Sequence, residues 1–197
     1  MHKRRIARQP VQEPDERVEK SKKVVLATTY ELLTKSGLSG VSVDEVSRRS
    51  GVAKTTIYRH WPSRESLLLD ACSQLSTRPS IPDTGKLRGD LELLASGAAV
   101  RLRQPWSTVL PSIIDAAERD KDLAELQSKI HAQMRGPFVA VIERAQERGE
   151  LPRSLDAREL VASIMGPLLY RRFFSREKLD EAFAKQVVER ALYKDAD

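Results

Sequence analysis

The chain has 197 residues, with 34 Lys+Arg against 28 Asp+Glu and a formal net charge of +6. Its only cysteine, Cys72, excludes an intrachain disulfide framework and points to a reducing, cytoplasmic setting. No apolar run approaches a membrane span and no apolar signal core follows Met1-His2-Lys3-Arg4-Arg5, so neither a membrane nor a secretory destination is expected. The charge is unevenly spread. Residues 1–64 hold 14 Lys/Arg and 7 Asp/Glu, net +7, whereas the rest hold 20 and 21, net −1. That asymmetry suits a polyanion-facing module on a neutral body, although a solvated basic terminus fits the charge alone equally well.

In chain order, residues 1–17 combine Pro10, Pro14 and mixed charge, which reads as a flexible basic arm. Its Lys3, Arg4, Arg5 and Arg8 suit a nucleic-acid groove or backbone, or simply keep the terminus solvated. Helical spacing runs from about Val18 to Ser36, where Val25, Thr29, Leu32 and Leu33 share one face and Lys22, Lys23 and Glu31 lie off it. Gly37 is a helix stop. Two short helices, 43–50 and 54–60, flank Gly51-Val52-Ala53, and Pro62-Ser63 opens a fourth that reaches about Leu75. Pro79, Ser80 and Pro82 mark a connection over 77–84. Further helices are expected at about 84–103, 106–118, 120–148, 156–174 and 179–193. Breaks between them fall at Gln104-Pro105, Glu118-Arg119, Gly149–Pro152 and Ser175-Arg176. With no alternating β-branched run, the fold class is all-α with about nine helices. The arm spans 1–17, a helix-turn-helix domain 18–64, and a regulatory and dimerisation domain 65–197.

The stretch from Ser42 to Trp61 carries the chemistry. Ser42-Val43-Asp44-Glu45 has the form of a capping box, in which Ser42 accepts from the Glu45 amide and Glu45 reaches back. The helix so started buries Val43 and Val46, and Arg48 and Arg49 suit its carbonyl end. Gly51 permits the left-handed turn between the helices, Val52 fills the elbow, and Ile57 and Trp61 anchor the second helix. Outward remain Lys54, Thr55, Thr56, Tyr58, Arg59 and His60, all hydrogen-bonding side chains. Such a face is what a major-groove reader presents to base edges. A surface hairpin with an ordinary polar exterior is the plainer alternative.

The stretch from Gly40 to Leu69, above all Gly51-Val52-Ala53-Lys54-Thr55-Thr56-Ile57-Tyr58-Arg59-His60-Trp61, closely resembles the DNA-binding domain of TetR-family repressors. The resemblance covers roughly residues 20–75 by motif. Gly166-Pro167-Leu168-Leu169-Tyr170-Arg171-Arg172 and Leu179-Asp180-Glu181-Ala182-Phe183 look like the last two helices of one branch of that family. The resemblance implies that Ser42 and Arg64 contact phosphates, that Lys54, Thr55 and Thr56 face bases or adjacent phosphates, and that Tyr58 and His60 grip the backbone. Arg59 joins them from its position on the exposed face. The partners implied are an operator in double-stranded DNA, a second copy of the chain and a small-molecule effector of unknown identity. The family arranges its later helices around a ligand cavity, and Trp106, Leu110, Ile113, Met134, Phe138, Met165 and Leu169 are the candidates to line it. On the last two helices Leu160, Ile164 and Leu168, then Phe183, Val187 and Ala191, repeat at helical spacing and are the expected dimer stripe. Packing wholly within one subunit remains an alternative for them, and Gly166-Pro167 is expected to kink the first of the two helices.

No cofactor is expected. His2, His60 and His131 are far apart and lack cysteine partners, so no metal site is expected either. Cys72 lies near Leu68, Leu69 and Leu75 and reads as a small buried residue rather than a nucleophile. No Gly-rich phosphate loop, Gly-x-Ser-x-Gly elbow or convergent catalytic set appears. The sequence therefore reads as a homodimeric repressor released by an effector. A regulator without an effector, whether activator or repressor, stays open, with a helical enzyme or adaptor more remote.

Overall fold

The computed structural model describes residues 16–75 and 80–193, except for the side chains of residues 73–75 and 106. Among the described residues there are nine α-helices and no strand. They are α1 (Glu16–Ser36), α2 (Val43–Ser50), α3 (Lys54–His60), α4 (Arg64–Leu75), α5 (Leu87–Leu102), α6 (Leu110–Ala117), α7 (Lys121–Glu147), α8 (Ala157–Tyr170) and α9 (Glu181–Tyr193). The expected arm lies outside the described residues, apart from residues 16 and 17, which already belong to α1.

Helix α1 buries Val25, Leu26, Thr29, Leu32 and Leu33, one stripe at the 3.6-residue period. The buried Thr29 hydroxyl donates to the Val25 carbonyl at 2.8 Å, so no polar group is stranded there. Gly37, at φ 67°, ends the helix and leads into a single 3-10 turn over Leu38–Gly40. The single helix expected at 106–118 is two pieces, a 3-10 turn over Pro105–Val109 followed by α6. The reason is local: Pro105 and Pro111 each sit in a first turn, where a missing N–H costs nothing, and each starts its own segment. Helix α7 begins at Asp120, whose carboxylate accepts from the amides of Asp122 and Leu123, and runs unbroken through Pro137 for about 40 Å. Helix α8 likewise continues past Gly166-Pro167. The irregularity comes later, as a π-turn over Arg171–Ser175 that ends at Arg176 in left-handed backbone, φ 55°.

Buried side chains from all nine helices join one hydrophobic core. Helix α1 packs against α2 and α4, and α4 and the Pro105–Val109 turn carry the contact into the body through α7 and α1 respectively. In the body α5 is central. Its Ala95, Ala98 and Ala99 allow α9 close approach, and α9 answers with Ala184, Val187, Val188 and Ala191.

The residues expected to form the dimer stripe pack largely into the chain's own core. Leu160, Ile164, Leu168, Val187 and Ala191 are buried within their own subunit, and Phe183 is half-buried beneath the Arg171 guanidinium. Helical periodicity identifies the face a helix buries, without saying whether its own chain or a partner covers it. The outward face of α8 consists instead of Ala162, Ser163, Gly166, Pro167 and Tyr170, with Phe174 beyond it. Of the expected cavity residues, Leu110, Ile113 and Phe138 are buried, and Met134, Met165 and Leu169 are half-buried against the same core. The Trp106 side chain lies outside the described residues.

Candidate nucleic-acid interface

Helix α2 starts at Ser42, whose extended backbone (φ −129°, ψ 155°) lets its hydroxyl oxygen accept from the Glu45 amide at 3.1 Å. The hydroxyl proton remains available to a phosphate, and the residue is exposed. The other half of the expected capping box is absent. The Glu45 carboxylate takes Nε and Nη2 of Arg48 at 2.8 and 2.7 Å and Nε of Arg49 at 2.6 Å. Hydrogen bonds from Arg48 and then Arg49 hold the Glu45 pKa down at about 2. Two arginines one turn away outcompete a single amide, and the i,i+3 and i,i+4 spacing carries that signal in the sequence.

The elbow is tied by backbone-directed polar groups. Gly51 takes the left-handed conformation at φ 71° and donates to the Ser47 carbonyl at 3.0 Å. The Ser47 hydroxyl donates to the Val52 carbonyl at 2.8 Å, and the Val52 amide donates to Ser50 Oγ at 3.2 Å. Helix α3 then buries Ile57 (0 % exposed) and, at its C-cap, Trp61 (4 %). Trp61 Nε1 donates to the Asp70 carboxylate on α4 at 2.8 Å, which fixes the end of α3 against the next helix.

Around that anchor Lys54, Thr55, Tyr58 and Arg59 are exposed and Thr56 is half-buried. Lys54 forms an ion pair with Asp44, so the N-terminal ends of α2 and α3 are surface neighbours. A hydrogen bond from Lys54 to Asp44 raises the Lys54 pKa. Sequence reasoning passed over Asp44, because nothing in its spacing pairs it with a residue on the other helix.

Two of the expected contact residues, Arg64 and His60, are engaged within the chain. Arg64 turns inward: its Nε donates to the Val41 carbonyl at 2.7 Å and its Nη2 to the Leu38 carbonyl at 2.5 Å. It pins the turn before α2, and its remaining Nη1 lies 3.9 Å from Glu65. His60 is half-buried edge-on to Trp61, ring centroids 5.8 Å apart, and lines a cavity of about 380 Å³ with Asp122, Glu125 and Lys129 of α7. Its ring stands at the seam between the helix-turn-helix and the body. Cys72 is half-buried and burial pushes its thiol up to about 11, so it is a neutral thiol near pH 7.

Residues 25–71 match the family of bacterial regulatory proteins called the tetR family, and residues 81–191 match the tetracyclin repressor-like C-terminal domain. The chain belongs to the TetR family. It is a helix-turn-helix transcriptional regulator that binds DNA, as members of the TetR family do. The HTH-type transcriptional regulator YdeS of Bacillus subtilis is 29% identical over 174 residues, covering 87% of this chain and 88% of that protein. The DNA-binding transcriptional repressor TetR of Mycobacteroides abscessus is 32% identical over 173 residues, covering 85% and 90%. The crystal structure of the TetR family transcription regulator SCO0332 superposes with a TM-score of 0.70 at 31% identity, covering 88% of this chain and 97% of that one. No helix among the described residues is long and apolar enough to cross a membrane.

Proposed function

We propose that the chain is a homodimeric cytoplasmic repressor that reads a near-palindromic operator through α3 and leaves it when a small effector binds in the helical body. It acts by binding alone, with no catalytic step. The observation that carries this reading is α3 itself: Ile57 and Trp61 fix it to the core while Lys54, Thr55, Tyr58 and Arg59 face outward. Two such helices, spaced about 34 Å apart by a two-fold axis, enter successive major grooves. The outer face of α8 supports the dimer. Tyr170 and Phe174 are 61% and 75% exposed and stack with centroids 5.7 Å apart, beside the exposed Gly166 and Pro167. Small residues next to exposed aromatics let a partner helix approach closely and bury a large apolar area. The relative named as a repressor supports the mode of action. An effector preferred by one spacing of the α3 pair shifts the population toward it, which is how release works in this reading.

The test is a titration by fluorescence anisotropy with a duplex from the region upstream of the protein's own gene. Lys54→Ala combined with Tyr58→Ala is expected to weaken binding by on the order of a hundredfold and to flatten its salt dependence. Unchanged affinity and salt slope would show that α3 is not the reader.

A further inference from the structure

Outside the helix-turn-helix, cationic side chains gather where α5, the Pro105–Val109 turn and the α8–α9 link meet. Arg103, Arg171, Arg172, Arg176 and Lys178 line an open groove of about 670 Å³ whose lining includes one carboxylate, Glu177. The chain from residue 65 onward is net −1, so this concentration does not follow from composition.

The five cations differ in how they are held. Arg172 donates from Nε to the Leu102 carbonyl at 2.6 Å and to Ser107 Oγ at 3.2 Å. It thereby answers the carbonyl end of α5. Arg171 donates to the Lys178 carbonyl at 2.9 Å, pairs with Glu177 at 3.0 Å, and stands 3.4 Å from the Phe183 ring centre. Lys178 pairs with Asp180 at 2.9 Å. Arg103 and Arg176 remain, exposed and with neither an ion pair nor a hydrogen bond from their side chains among the described residues. Arg176 holds its place from left-handed backbone that side chains other than glycine and asparagine seldom adopt.

The groove is also partly apolar. Leu179 is buried and Phe173 half-buried in its wall, opposite Thr108 of the 3-10 turn. Two uncompensated guanidinium forks beside an apolar wall match one kind of ligand, an anionic head carrying hydrocarbon. We propose that this groove binds an amphiphilic organic anion, a carboxylate or phosphate monoester with an alkyl chain, with Arg103 and Arg176 as its counter-ions. Thr108 belongs to the turn that packs on α1, so an occupant touches the connection between body and DNA-binding helices. That consequence rests on the effector reading above and is read separately from binding.

The experiment is isothermal titration calorimetry of the full chain with octanoate and octyl phosphate, and with octanol as the uncharged control. Both anions are expected to bind at one site per chain, on the order of tenfold or more tighter than octanol. Arg103→Ala with Arg176→Ala is expected to remove that advantage while leaving octanol binding and the thermal midpoint unchanged, because neither side chain holds the fold. Equal binding of octanol and the anions, no binding of any probe, or an unaltered double variant overturns the proposal. So does a double variant that weakens DNA binding and its salt slope but still titrates with octyl phosphate, which makes the pair a DNA-phosphate contact. Anion binding lost in the variant but without effect on operator affinity upholds the groove and removes only its link to release.

Discussion

The helix-turn-helix and the helical body share one core, yet among the described residues the buried side-chain polar atoms left without a partner all lie in the body. At the DNA end Ser47 and Ser50 hold backbone groups of the elbow between α2 and α3, Ser42 caps the start of α2, and Arg64 pins the turn before it. In the body Asp90 takes the Thr84 amide with one carboxylate oxygen only, and several other polar atoms hold nothing. Asp90 Oδ2 and Ser96 Oγ are buried without a partner, and Arg101, Arg103 and Arg176 have no side-chain hydrogen bond or ion pair among the described residues. A turn that must aim a recognition helix leaves little freedom in residue identity. The body proposed to bind an effector and shift tolerates polar groups whose partners come from elsewhere.

The largest effect tests whether the two regions are separate at all. Trp61→Ala removes a buried indole and leaves Asp70 without its donor, at a cost of about 3–5 kcal/mol. Because one core joins all nine helices, denaturant unfolding followed by fluorescence and by circular dichroism is expected to shift as one transition. Two separated transitions, with only the first moved, would divide the molecule into independently folding halves.

A smaller effect sharpens the division of labour at the DNA end. Arg64→Met strands two carbonyls that a guanidinium now serves, and is expected to lower stability by about 2 kcal/mol. Its DNA salt slope should match that of the parent protein. Arg59→Ala should do the reverse, lowering the slope by about 1 with little change in stability. A lowered slope for Arg64→Met in the same titration returns that residue to the phosphate-contact role its motif position implies.

The two regions were not equally legible. Ser42, Gly51, Ile57 and Trp61 could be read directly, because a cap, a left-handed elbow and an i,i+4 anchor each demand a residue type at a fixed offset. The all-helical class was legible from periodicity throughout. Arg64 was not, because its partners lie 23 and 26 residues upstream and only folding brings them near. The same holds for Lys54 and Asp44, and for Glu45, where neighbouring arginines displaced the expected amide. The stripes of α8 and α9 were visible, but a stripe of Leu160, Ile164 and Leu168 looks the same whether a neighbour in the chain or a second subunit covers it. The outward face of α8, with its Gly166 and Pro167, gives no hydrophobic period to detect.

The smallest expected effect probes the loose polar groups of the body. Arg101 projects from the sector of α5 that carries Leu94 and Ala98, and Gly97 one turn back leaves room for its guanidinium. It is half-buried with no ion pair among the described residues, and burial alone lowers its pKa, although an arginine stays charged at any ordinary pH. A charge held out of water without a counter-ion opposes folding, so Arg101→Met keeps the stem and is expected to stabilise the chain by about 1 kcal/mol. In a thermal melt of a chain this size that is a rise of about 2–4 °C. An Arg101→Met midpoint at or below that of the parent protein would show that the guanidinium is as well held as those at the DNA end, and the contrast between the two regions would fail at its most specific point.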